Sequence, residues 1–158
     1  MAERAPLIEF VYLLTNNQTL TQRIEQQIDA MMLERISDSW LELLHLVCFT
    51  GSLGCSVDFN AVKGVLKCDS MNAAVKRFSD EYLLRITIDG NRLEALHPVR
   101  ANIIYNVLRT KTVINIKEAL MKALNCVESK YVSIILMEYF TNYEYSLDAV
   151  SYTHLRAH

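Results

Sequence analysis

The sequence predicts a mainly α fold, in which a helical segment is followed by a winged helix (three helices, a β-hairpin and a closing helix) and by the start of a helical array. Apolar residues recur at helical spacing in several segments, and they alternate as in a strand only around one Asp-Gly pair. Four glycines and two prolines among 158 residues leave few turns for a many-stranded β fold. A composition of 51% hydrophobic and 22% charged residues excludes an intrinsically disordered chain.

The first predicted unit spans residues 1–36 and is expected to be helical. Pro6 stands where a helix can begin, and the residues that follow it are apolar almost all round, which is typical of a buried helix. Thr19 and Gln22 have the spacing of a capping box, so a second helix is expected to start there. The apolar face of that second helix is predicted to comprise Leu20, Ile24, Ile28, Met31 and Met32.

The second unit, residues 37–110, begins with three predicted helices. Asp38 or Ser39 is expected to cap the first of them, and Gly51-Ser52-Leu53-Gly54 is expected to end it. A short helix is predicted at about 59–66, and Ser70 is expected to cap the third. The apolar faces of the first and third helices are predicted to comprise Trp40, Leu43, Leu44, Val47 and Cys48, and Met71, Ala74, Val75 and Phe78, respectively.

The same unit is predicted to end in a hairpin and a closing helix. Residues 82–88 are β-branched and alternating, Asp89-Gly90 is a turn signal, and a returning strand is expected over 92–96. Pro98 can open a helix that runs to about Arg109.

Residues 111–149 form the third predicted unit, the beginning of a helical array. Ile116, Leu120 and Leu124 mark one helix, residues 131–140 mark another, and Ser146 has the character of a cap for a third. Residues 150–158 resemble the translation of a transposon-type sequencing adapter, and we interpret them as a non-native tail.

Charge and cysteine usage limit the class of partner and compartment. With 16 Lys and Arg residues and 18 Asp and Glu residues, the chain has a formal net charge of −2. No overall positive field therefore attracts nucleic acid or an anionic membrane. No uncharged apolar stretch approaches the ~20 residues of a membrane span. Four cysteines without CxxC spacing indicate a cytoplasmic chain with reduced thiols. Three of them (Cys48, Cys55, Cys68) can be grouped with His45 into a zinc site, but the spacing fits no finger pattern, and buried free thiols are the simpler interpretation.

Two short motifs give the chain a resemblance to the STAND class of signalling ATPases (the NB-ARC and related group). Arg4-Ala5-Pro6-Leu7 is similar, at Pro6 and Leu7, to the Gly-Leu-Pro-Leu motif that opens the helical lid of that family. Leu96-His97-Pro98-Val99-Arg100 is similar, at His97 and in its last two residues, to the Met-His-Asp and Leu-Val-Arg sequence that ends the family's winged helix. Arg4 replaces the family's Gly, and Pro98 replaces its Asp.

The resemblance implies that residues 1–36 are the lid and that Pro6, His97 and Arg100 bind nucleotide, with His97 contacting the β-phosphate of ADP. ADP or ATP, with Mg²⁺ in the parent protein, would then be the ligand. A P-loop ATPase core and C-terminal helical repeats of the same parent would be the partners, together with a signalling or oligomer partner. No Walker A motif is present, and Gly51-Ser52-Leu53-Gly54-Cys55-Ser56 lacks the phosphate-binding Lys, so the chain alone is not expected to hydrolyse ATP.

Two other classes of function are also compatible with the sequence. In a DNA-binding winged helix, residues 70–81 would enter the major groove, Lys76 and Arg77 would contact phosphates, and Arg85 and Arg92 would reach the minor groove. The acidic residues Asp69, Asp80 and Glu81 around that helix argue against this function. In a structural interaction module, the helices after Arg109 would bind a protein partner. The candidate nucleotide-binding residues also have simpler structural explanations. Pro6 can be a proline that only begins a helix, and His97 can be a histidine hydrogen-bonded to the backbone.

Overall fold

A computed structural model describes residues 20–68 and 70–141, and within them the chain is mainly helical, as predicted. Pro6, the helix expected after it, Ser146 and the tail 150–158 lie outside the described residues. The elements in chain order are α1 (20–33), α2 (Asp38–Ser52), β1 (Val57–Asp58), α3 (Phe59–Leu66), α4 (Met71–Asp80), β2 (Arg85–Ile86), β3 (Arg92–Glu94), α5 (Pro98–Lys111), α6 (Ile116–Cys126), a 3₁₀ turn (Ser129–Tyr131) and α7 (Val132–Tyr139).

Elements α2 to α5 have the predicted order of three helices, a hairpin and a closing helix, with one additional strand. The two-residue β1 pairs antiparallel with β3, and β3 pairs antiparallel with β2, so the sheet order is β1-β3-β2. Leu93 of β3 lies between Val57 and Ile86 and is fully buried. Sequence reasoning missed β1 because two residues are too short to show an alternating pattern.

The first hairpin strand is shorter than predicted. Tyr82 adopts a left-handed backbone conformation, and the Leu83 N–H donates to the Phe78 carbonyl at 2.9 Å, so residues 82–84 close the end of α4 instead of extending the strand. The predicted turn is present, since Gly90 has a positive φ of 76° and donates its N–H to the Thr87 carbonyl. Only Arg85 and Ile86 of the predicted first hairpin strand therefore pair with β3.

One of the expected helix caps lies at a different residue, and another has the expected position but makes no capping bond. Ser37, not Asp38 or Ser39, occupies the N-cap position of α2, and its side chain makes no capping bond. Ser70 holds the N-cap position of α4 without a side-chain capping bond. The caps that do form are Asp58 on α3, accepting from the Ala61 N–H at 2.8 Å, and Asn115 on α6, accepting from the Glu118 N–H at 3.1 Å.

Helix α2 is the centre of the core. It is buried on nearly all sides from Leu41 to Gly51, and its most extensive packing is against α5. The α1 face is as predicted at Leu20, Ile24, Ile28 and Met31, but Met32 is 38% exposed and lines an open groove together with Leu41 of α2. Buried residues of α1, of the winged helix and of α6 and α7 belong to one hydrophobic cluster. The three units expected from the sequence therefore share a core in the described part of the chain.

Candidate functional site

His97 is the N-cap residue of α5. Its Nδ1 accepts a hydrogen bond from the Val99 N–H at 3.1 Å, and Pro98, which has no N–H to satisfy, occupies the first turn. With Nδ1 acting as an acceptor, the proton of the neutral ring is on Nε2. The half-buried ring therefore combines a backbone-capping nitrogen with a donor nitrogen at the N-terminus of a 14-residue helix. Helix N-termini favour anions.

Arg100, three residues further along α5, is held inside the protein. Arg100 is only 9% exposed, and its Nε donates a hydrogen bond to the carbonyl of Tyr82 at 3.1 Å. Tyr82 has a left-handed backbone conformation and lies two residues after the end of α4 at Asp80. Arg100 thus ties the first turn of α5 to the end of α4, which gives this guanidinium a structural function in the winged helix.

Arg77 of α4 connects two helices through acidic partners. Its guanidinium makes two hydrogen bonds to the Glu34 carboxylate, at 2.9 and 3.1 Å, and approaches Glu81 at 3.3 Å. The side-chain hydrogen bond from Arg77 holds the pKa of Glu34 below its usual value, and the two carboxylates raise the pKa of Arg77. Lys76, the neighbouring candidate for a phosphate contact, is exposed.

The two arginines of the hairpin are also engaged within the fold. The Nε of Arg85 donates to Glu94 on the adjacent strand at 2.8 Å. The guanidinium of Arg92 donates to the Ser56 hydroxyl at 2.6 Å and to the Ser56 carbonyl at 2.8 Å, and it lies 3.7 Å from Glu128. Three of the four residues named for DNA contact are therefore paired with groups of this chain.

One buried polar group is a histidine that sequence reasoning placed only in a possible zinc site. His45 of α2 is 1% exposed, and its Nε2 accepts a hydrogen bond from the Nε of Arg109 on α5 at 2.9 Å. The imidazole stacks on Phe49 and meets Tyr105 edge-on, with ring centroids 6.2 and 6.1 Å apart. Burial, aided by the Arg109 charge, lowers the pKa of His45 to about 3. The ring is consequently neutral at physiological pH.

The cysteines next to His45 in sequence have local hydrogen-bond acceptors. The Cys48 thiol donates to the Leu83 carbonyl at 3.8 Å, and the Cys55 thiol donates to the Leu53 carbonyl at 3.7 Å. Burial raises the pKa of both thiols, which disfavours the thiolate that zinc requires. Within residues 20–68 and 70–141 no group of three or more His, Cys, Asp or Glu side chains is arranged to hold a metal ion.

No helix among the described residues has both the length and the apolar character needed to cross a membrane. No protein-family model, curated protein or solved structure matches the chain. Inference about function therefore depends on the fold and on the side-chain geometry described above.

Proposed function

We propose that the chain is a nucleotide-state-sensing regulatory segment, the lid and winged helix of a larger STAND-type signalling ATPase, and that it is not catalytic by itself. The observation that carries the proposal is the hydrogen bonding of His97. Because Nδ1 is used to cap α5, Nε2 is the donor nitrogen, and a donor at a helix N-terminus suits a phosphate oxygen. In the parent, ADP or ATP with Mg²⁺ would be held mainly by the P-loop core, and His97 would add a contact from the winged helix.

The packing of α1 is compatible with a lid that rests on the winged helix. Ile24 and Ile28 are fully buried, and the Glu34–Arg77 pair fixes the end of α1 against α4. Arg100 supports this proposal less than His97 does, because its Nε is already bonded to the Tyr82 carbonyl. Pro6 lies outside the described residues, so its contact with the adenine stays a prediction.

The second candidate, a DNA-binding winged helix, is favoured by the order of elements but not by the charges. A guanidinium that already has a carboxylate partner must lose that partner before it can neutralise a phosphate. Arg77 and Arg85 are both paired in this way, which leaves Lys76 as the exposed cation of α4. Strong, salt-dependent binding to random duplex DNA would support this candidate against the first.

We also propose a cytoplasmic location for this segment. All four cysteines lie in the described residues, and each is a buried thiol that is not part of a disulfide. Free thiols are typical of a reducing compartment.

The test substitutes His97 in the full-length protein. Two variants distinguish a role of His97 in binding phosphate from its role in capping α5. His97→Asp retains a good N-cap but places a negative charge beside the phosphate, whereas His97→Asn is a neutral cap. We expect His97→Asp to speed ADP dissociation at least about tenfold relative to His97→Asn, because a hydrogen bond to a charged group is replaced by repulsion. The thermal stability of the two variants should be similar. Equal ADP dissociation rates for the wild type and both variants would remove His97 from the phosphate site.

A further inference from the structure

A cavity of about 180 Å³ lies beside His45, between α2, the end of α3, the α5–α6 connection and α6. Its walls are mainly apolar and include Leu46, Leu66, Ile114 and Ala119; Val113, which is itself exposed, also lines the cavity. Charged residues also line it, and two of these, Glu42 of α2 and Lys122 of α6, form an ion pair at 3.1 Å. Small-molecule sites combine apolar walls with a few placed polar groups in this manner.

The polar group of this cavity is a buried donor without a protein partner. The Nε2 of His45 is occupied by the hydrogen bond from Arg109, so the proton of the neutral ring is on Nδ1. Among the described residues no group accepts a hydrogen bond from this Nδ1–H. Nevertheless it is not sealed within the core, because His45 lines the cavity and its Nδ1 keeps access to the cavity space. Leaving a buried donor unmatched costs roughly 1–3 kcal/mol, so an occupant with an acceptor is favoured.

The surroundings hold the His45 ring in one orientation. Phe49 stacks on one side of it, and the Arg109 guanidinium, which donates to Nε2, itself lies 4.5 Å from the centre of the Tyr105 ring. A ring clamped in this way presents its donor in one direction. Such preorganisation reduces the entropy that a ligand contact costs.

We infer that this cavity is a binding site for a small, uncharged, mostly apolar molecule with one hydrogen-bond acceptor, of about the size of a substituted benzene ring. A cavity of about 150 Å³ lined by apolar side chains is known to accept benzene, so 180 Å³ admits one ring with a small substituent. The acceptor would bind the Nδ1–H of His45, and the ring would contact the apolar walls. Glu42 and Glu118 outnumber Lys122 among the charged lining residues, so an anionic ligand is disfavoured.

The site is independent of the proposed nucleotide contact, because it uses α2 and α6 and not the N-terminus of α5. Its position is suited to sensing a small molecule. An occupant that touches both Leu46 and Ala119 would bridge the winged helix and the first helix of the expected array.

The test uses benzamide as the probe and ligand-observed NMR titration of the whole chain as the measurement. Benzamide carries a carbonyl acceptor, toluene has the same ring without an acceptor, and benzoate adds a negative charge. We expect benzamide to bind at least about tenfold more tightly than either, since the loss of one hydrogen bond to a buried donor costs on the order of 1.4 kcal/mol. The ¹⁵N resonance of His45 Nδ1 should shift with benzamide and not with toluene.

A cavity-filling variant supplies the structural control. Ala119→Leu places a larger apolar side chain in the cavity without removing any polar group, whereas Ala73→Leu makes the same change at an exposed position of α4. We expect Ala119→Leu to weaken benzamide binding at least about tenfold and Ala73→Leu to leave it unchanged. Equal affinity for benzamide and toluene, undiminished binding to Ala119→Leu, or no benzamide binding at millimolar concentration would each overturn the proposal.

Discussion

At the scale of single residues, the described part of the chain uses its histidines in two contrasting ways. His97 is half-buried and caps a helix through one nitrogen, so its other nitrogen is the donor. His45 is almost fully buried, and its neutral form is required because it accepts a hydrogen bond from a guanidinium. Protonation of His45 would place two cations in contact and remove the acceptor at once.

This requirement makes folding stability depend on pH. The pKa of His45 is about 3 in the folded protein, against an ordinary value near 6.5 in the unfolded chain. Between these values the unfolded state binds a proton that the folded state does not, so the free energy of unfolding decreases as the pH falls below about 6.5. We expect a slope approaching about 1.4 kcal/mol per pH unit from this one group, measured by urea unfolding between pH 6.5 and 5.

A substitution tests whether His45 causes this pH dependence of the unfolding free energy. His45→Gln keeps an acceptor for Arg109 but has no proton to gain in this range, so its unfolding free energy should be almost flat from pH 6.5 to 5. His97→Asn, which retains the N-cap, should keep the decrease that His45 causes in the wild type. If His45→Gln retained the full wild-type slope, the buried neutral histidine would not be its source.

At the scale of elements, the end of α2 packs closely against the connection between β3 and α5. Gly51 lies against Ala95, and a Cβ at residue 51 would overlap the Ala95 Cβ. This close contact allows the last turn of α2 to pack on the strand that leads into α5. The glycine is therefore required by packing, although glycine inside a helix is unfavourable by propensity.

Two Gly→Ala substitutions separate packing from propensity. Gly51→Ala should lower the free energy of unfolding by about 1–3 kcal/mol, because the added methyl group meets Ala95 in a filled space. Gly64→Ala, in α3, meets nothing within 4 Å and should raise it by about 0.5–1 kcal/mol through helix propensity. Chemical denaturation measures both, and the double variant Gly51→Ala, Ala95→Gly should recover part of the loss. A neutral or stabilising Gly51→Ala would contradict the packing described here.

At the scale of the whole molecule, the sequence was sufficient for the order of the described helices and the hairpin, apart from the two-residue β1, but not for the contacts between the elements. The sequence predicted α3 at Phe59–Leu66, and it predicted the start of α5 at Pro98 because proline is tolerated in the first turn of a helix. The bond between His45 and Arg109 joins residues 64 positions apart, and the Arg77–Glu34 bond joins residues 43 apart. A local sequence pattern cannot predict pairings between residues so far apart in the chain. This is why residues that the sequence suggested as zinc ligands or DNA contacts are instead hydrogen-bonded to other residues of the fold.

The proposed function requires a nucleotide-binding core that precedes the chain in a longer protein. The most direct measurement is the sequence of the complete transcript that encodes the chain. If the proposed function is correct, the reading frame continues upstream of Met1 and encodes a Gly-x-x-x-x-Gly-Lys-Ser/Thr motif roughly one domain length earlier. A transcript in which translation starts at Met1, with no coding sequence before it, would contradict the claim.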